Sequence, residues 1–338
     1  MKFGGWLALI AVGSCARGTD AANAATQSSG AKASAASLDA PARRAAAKPP
    51  TLAEVPYGDH PRQVLDFWRV ESATPTPLLF FIHGGGWVAS SKSDVVNLGR
   101  LSEYLNAGIS VVSINYRLVT QALDAGVKPP VQWPLHDAAR ALQFVRSKAG
   151  QWNIDKTRIA ATGFSAGACS SLWLAFHADL ADPRSADPVA RESTRLFCAG
   201  VNIAQTTLDP RQMKEWTPNS RYGGHAFGFM PDPKNLKTRD SQFAQFLAAR
   251  DQILPWIEEF SPFGWVSADD PPIYLSYRTP PALGHDDKDP THTANFGVKL
   301  AEKLQSVGVE CELVYPGLQD VKHAQTHEYL VNRLKGRR

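Results

Sequence analysis

The chain has 338 residues, of which 43% are hydrophobic and 20% charged, and a formal net charge of +4. Those values describe an ordinary soluble globular protein. No stripe of Lys and Arg interleaved with aromatics occurs, which argues against a nucleic-acid partner. The length gives a soft prior of two domains, yet an α/β chain of about 300 residues commonly forms one core.

Residues 1–15 read as a leader. Met1 and Lys2 form a short charged region, and Trp6–Val12 an apolar one too short to span a bilayer. Val12-Gly-Ser-Cys15 resembles a bacterial lipobox, which would leave Cys15 at the mature N-terminus for lipid attachment and membrane anchoring. An ordinary secretory leader cut near Ala22-Asn-Ala24 is the alternative, and both imply export. Residues 16–50 are rich in Ala, Ser and Gly without hydrophobic period, the composition of a disordered tether. The other three cysteines, Cys169, Cys198 and Cys311, fall on expected core positions and read as free buried thiols.

From residue 51 to 338 strands and helices alternate. Val64–Trp68 has the period of an edge strand, and Leu78–Ile82 is a continuous apolar run ending at glycines 84–86. Ser110–Tyr116 is a further strand, and Leu135–Ala149 carries helical spacing. Arg158–Thr162 is a strand and Ala168–Ala178 an apolar helix, followed by a strand at Phe197–Ile203. Ile273–Tyr277 and Cys311–Tyr315 are the last strands, with helices expected from about Thr293 to Val307 and from His323 to Leu334. This order predicts an α/β fold, a mostly parallel sheet covered by helices on both faces. The interval 206–263 breaks the alternation and is rich in Pro, Gly and aromatics; its length suggests a lid or cap.

Two motifs carry chemistry. Gly163-Phe-Ser-Ala-Gly167 lies between an apolar strand and a helix, the context of a nucleophile elbow. Ser165 would be the nucleophile, with small residues on both sides to permit the turn. His83-Gly-Gly-Gly-Trp87 follows the strand Leu78–Ile82. Its glycines expose backbone N–H groups that could bind an oxyanion, each donor supplying about 3 kcal/mol. The N–H of Ala166, directly after the serine, would be another donor.

These motifs together resemble the α/β-hydrolase esterases of the hormone-sensitive-lipase-like and bacterial feruloyl-esterase-like group. Ile114-Asn-Tyr-Arg-Leu118, Asn153–Ile159, Ser261-Pro262 and Asp270-Pro-Pro272 extend the resemblance over about 61–334. It implies the α/β-hydrolase fold, a carboxylesterase with an acyl-enzyme intermediate, and catalytic residues in the order Ser, Asp, His. It implies no cofactor, and small-molecule or polysaccharide esters as substrates. Phe164 stands where the lipase-like subgroup often has an acidic residue, which favours the feruloyl-esterase-like side.

By motif match the oxyanion donors are Gly85, Gly86 and Ala166. His83 would brace the loop, and Trp87 would form a wall of the substrate pocket, with a buried structural tryptophan as the alternative. His323, in the loop after the last expected strand, is the expected base, and His327 the second choice. The two lack an H-E-x-x-H pattern or a third ligand for a metal site. The acid falls in the long segment after Ile273–Tyr277, where Asp286, Asp287 and Asp289 compete. Asp289 is preferred for its Asp-Pro step. An amide or lactone hydrolase built from the same parts, or a non-catalytic binding protein on the same fold, are the other readings.

Overall fold

The computed structural model describes residues 48–98, 100–232 and 235–336. The expected leader, Cys15 and nearly all of the tether lie outside the described residues. Eight strands form one sheet: β1 (Leu52–Pro56), β2 (Val64–Trp68), β3 (Thr76–Ile82), β4 (Ser110–Ile114), β5 (Ile154–Gly163), β6 (Cys198–Asn202), β7 (Ile273–Ser276) and β8 (Cys311–Val314). Their order across the sheet is β1-β2-β4-β3-β5-β6-β7-β8. Strand β2 runs antiparallel to both its neighbours, and every other pair is parallel.

Strand β3 is buried along its whole length, as its unbroken apolar run requires of a central parallel strand. The edge differs from expectation. Strand β1, not β2, is outermost; its residues are nearly all exposed, so no alternation marks it in the sequence.

Nine labelled helices pack around this sheet: α1 (Leu101–Asn106), α2 (Val119–Asp124), α3 (Gln132–Ser147), α4 (Ala166–Phe176), α5 (Pro210–Trp216), α6 (Leu236–Ala249), α7 (Leu254–Phe260), α8 (Asn295–Ser306) and α9 (Thr326–Lys335). One core lies on the α3–α4 face and includes Phe80, Leu142, Leu172 and Trp173. The opposite face buries Phe81, Tyr104, Tyr274 and Leu330 beneath α1 and α9. Burial of all eleven residues of α4 explains why its sequence is apolar all round. Cys169 and Cys198 are buried free thiols and Cys311 a half-buried one. Burial pushes the Cys198 and Cys311 thiols up to about 12, so they pack as small hydrophobes.

The interval 206–263 is largely helical, containing α5, a 3-10 turn at Gly224–Phe227, α6 and α7. The Asp209 side chain accepts from the Arg211 amide at the start of α5 and pairs with Arg250 at 2.7 Å beyond the end of α6. One carboxylate thus caps one helix and fastens it to the next.

Candidate active site

Strands β3 and β5 are in register so that Ile82 lies opposite Gly163. Both motifs therefore leave the sheet side by side at its carboxyl edge, where open α/β sheets place ligands. Ser165 has φ 53° and ψ −123°, a strained backbone for a residue with a side chain. Such a turn needs glycine at its flanks. A Cβ on Gly163 would stand 2.5 Å from the Ile82 carbonyl, and one on Gly167 would run into the carbonyls of Ile82 and His83. The Ser165 amide donates to the Asn202 carbonyl at 3.1 Å, tying the elbow to the end of β6. Ala166 opens α4, and its N–H is one of the unpaired donors of the first helical turn.

The loop Gly84–Trp87 packs directly on the elbow. A Cβ on Gly84 would lie 2.6 Å from the Phe164 carbonyl, which only glycine avoids. Gly85 and Gly86 have φ of 86° and 62°. The Tyr116 hydroxyl, 2.9 Å from the His83 carbonyl and 3.0 Å from that of Gly84, ties the start of this loop to the chain after β4. His83 is fully buried and stacks on the Tyr116 ring at 4.1 Å. Burial lowers its pKa to about 4, and the neutral imidazole stands with Nδ1 3.0 Å from the Gly84 carbonyl. Arg62 donates to the carbonyls of Tyr116 and Ser90 on the far side of the same loop.

The structure brings a different histidine to the serine. His292 Nε2 is 3.0 Å from Ser165 Oγ, and His292 Nδ1 is 2.8 Å from the Asp289 carboxylate. An ionised carboxylate only accepts, so Nδ1 carries the ring proton and Nε2 is left to accept from the serine hydroxyl. His323, expected beside Ser165, is not brought there. Its Nδ1 lies 2.8 Å from Glu312 on β8, its carbonyl accepts from the Tyr274 hydroxyl at 3.0 Å, and it is 7% exposed. The physical reason is that a partly buried carboxylate one strand away captures the ring. Helix α9 also begins at Thr326, after His323 rather than at it. His327 pairs with Glu103 at 3.3 Å.

Among the three competing acids, Asp289 alone is brought to His292. Asp287 instead accepts the Asp289 amide at 2.9 Å and shapes the loop. This loop is pinned from the insertion: Asn219 Nδ2 donates to the Asp287 carbonyl, and Asn219 Oδ1 accepts the Asp287 amide, at 2.8 and 3.1 Å. Gln205 donates to the Thr291 carbonyl at 2.6 Å, next to His292. Trp87, expected as a pocket wall, is instead fully buried, with its indole N–H donating to Ser170 Oγ at 2.9 Å. Its aromatic bulk serves the core. No cluster of three or more His, Cys, Asp and Glu side chains suited to a metal ion occurs among the described residues.

The sheet order, with a strained serine at the turn from strand to buried helix, defines the α/β-hydrolase fold. The chain belongs to the BD-FAE family, whose model matches residues 65–304. It is similar to esterase LipC of Mycobacterium tuberculosis, 35% identical over 115 residues that make up 33% of this chain and 26% of that protein. The match thus spans about a quarter of that relative's length. Among solved structures, it resembles an acetyl ester-xyloside bifunctional hydrolase from Caldicellulosiruptor lactoaceticus. That likeness has a TM-score of 0.56 and 21% identity, covering 85% of this chain and 94% of the other. A truncated carbohydrate esterase from gut microbiota gives a TM-score of 0.60 at 18% identity, covering 86% and 100% of the two chains.

Proposed function

We propose that this chain is a serine carboxylesterase in which Ser165, His292 and Asp289 form the triad. The observation that carries this reading is the unbroken hydrogen-bonded line from Ser165 Oγ through both nitrogens of His292 to Asp289. A serine hydroxyl is a poor nucleophile at neutral pH and needs such a base. Ser165 Oγ attacks the ester carbonyl carbon while His292 Nε2 takes its proton. Asp289 keeps the imidazole in the productive tautomer and stabilises the imidazolium. The N–H groups of Gly85, Gly86 and Ala166 face the oxyanion of the tetrahedral intermediate. Collapse breaks the bond to the alcohol oxygen, which leaves with the proton from His292. Water, deprotonated by the same ring, then releases the acid and restores the serine.

Small carboxylic esters are the proposed substrates. Acylated carbohydrate is the natural extension, supported by the fold likeness to an acetyl ester-xyloside hydrolase and a carbohydrate esterase. A fluorophosphonate probe tests the nucleophile: a new bond joins phosphorus to Ser165 Oγ as fluoride leaves. The expected result is a single adduct on the Ser165 peptide by mass spectrometry, absent from Ser165→Ala. An unlabelled wild type that also fails to turn over p-nitrophenyl acetate would overturn the reading.

Export is proposed on the sequence of the leader alone, with Cys15 as the lipidated residue. In a bacterial host, the full chain is expected to incorporate labelled palmitate, and Cys15→Ser to lose it. A soluble, unlabelled product beginning near Ala25 would identify an ordinary secretory leader instead.

A further inference from the structure

The insertion lays the polar atoms of Tyr222 and His225 against the oxyanion loop with little in the protein to satisfy them. Tyr222 precedes the 3-10 turn Gly224–Phe227 and His225 lies within it, their rings 4.9 Å apart and 6.4 and 5.9 Å from the Trp87 ring. A Cβ on Gly86 would lie 3.7 Å from His225 Nε2, so the imidazole abuts the backbone expected to bind the oxyanion. His225 is fully buried and Tyr222 only 8% exposed. Yet the Tyr222 hydroxyl lacks a hydrogen-bond partner in the protein, and the His225 ring nitrogens have none beyond a loose approach to the Gly86 backbone. A buried polar group left unsatisfied is costly, and native structures hold few of them.

The chemistry of these atoms defines what would satisfy them. Burial lowers the His225 pKa to about 4 against the opposing pull of the Gly86 backbone, so the ring is neutral. A neutral imidazole offers one donor and one acceptor, and a phenol offers both at one oxygen. Neither carries a charge to balance a carboxylate or an ammonium. A neutral group that both donates and accepts complements them, and a hydroxyl is the smallest such substituent an ester can carry.

We propose that Tyr222 and His225 form a polar subsite beside the oxyanion loop that takes a hydroxyl group of the substrate. This rests on the esterase reading and deepens it by naming a feature of the preferred ester. The hydroxyl belongs either to the acyl group or to the alcohol, and matched pairs separate these. On the acyl side, glycolamide is compared with propionamide, where a methyl replaces the hydroxyl. For the alcohol side, N-(2-hydroxyethyl)acetamide is compared with N-propylacetamide. Binding of these amides is followed by NMR titration of the full chain carrying Ser165→Ala, so the result does not depend on turnover. The matched esters are then compared by kcat/KM in the wild type, each rate divided by its alkaline hydrolysis rate.

In one of the two arms the hydroxyl member is expected to bind roughly tenfold tighter than its isostere, and Tyr222→Phe to erase that ratio. Discrimination of this size follows when a site's polar groups are left unpaired by the wrong ligand. Equal binding within both pairs overturns the subsite without touching the hydrolytic reading, and needs no variant at Tyr222 or His225. A ratio that survives both Tyr222→Phe and His225→Leu overturns the assignment to these residues. Amide discrimination in a chain that hydrolyses no ester would sustain the subsite while sinking the enzymatic reading.

Discussion

His292→Ala is expected to lower kcat/KM for p-nitrophenyl acetate by roughly ten-thousandfold, the scale on which removing a triad base acts. The same loss is expected of Ser165→Ala, and combining the two should add little, since they act as one unit. A ten-thousandfold change corresponds to about 5.5 kcal/mol of transition-state stabilisation. His323→Ala should retain most of the activity, because its ring is held by Glu312 and does not meet the serine. Its cost falls on stability, since truncation leaves Glu312 beside the vacated space. Measuring both variants at equal folded concentration, checked by circular dichroism, decides between the two histidines. The opposite ordering, with His323→Ala dead and His292→Ala active, would return the base to the loop after β8.

Asp137→Ala should destabilise the fold by about 3–5 kcal/mol, the range for breaking a buried ion pair by removing one partner. Asp137 is 1% exposed and receives both the Nε and Nη2 of Arg117 as well as the Arg117 amide, at 2.6–3.1 Å. Gln63 adds a fourth donor group at 2.8 Å, and the Arg117 guanidinium lies 4.2 Å from the Trp133 ring. The alanine would leave a cation and an amide in a site built around a carboxylate. Tyr116, one residue before Arg117, positions the oxyanion loop through the carbonyls of His83 and Gly84. The variant should therefore lose activity below its melting transition as well as melting several degrees early. Calorimetry beside an activity–temperature curve tests this, and an unchanged melting temperature would show that the pair is dispensable. Asp137→Asn, which keeps the volume and some acceptor capacity, should fall between.

The nucleophile and oxyanion motifs were legible because their chemistry is local. Five residues that turn a strand into a helix around a strained serine must be small, and three glycines beside a strand end leave a contiguous mark. The base was not legible in that way. Position after the last strand pointed to His323, but which ring reaches Ser165 depends on loop conformation and on Glu312, a β8 residue that captures His323. One signal was present: Asp289 and His292 are three residues apart, and such spacing lets a loop turn bring a carboxylate to an imidazole. Trp87 shows the limit of residue type as a guide, because a tryptophan beside a glycine loop suits a pocket wall or a core equally. Only its bond to Ser170 distinguishes them. The outermost strand β1 escaped because both its faces meet solvent, so its sequence carries no period.

The pinning of the Asp289–His292 loop by Asn219 gives the protein a division of labour. The proposed nucleophile, Ser165, stands at the turn that leaves β5 of the sheet. The proposed acid and base, Asp289 and His292, ride together on a single connection that Asn219 of the insertion grips at Asp287. The same insertion sets Tyr222 and His225 against the oxyanion loop. Reactivity is thus hung on the least sheet-like part of the chain. Because the insertion shares one core with the sheet through Leu208, Met213 and Phe260, the geometry of the proposed acid and base is tied to the packing of the fold itself.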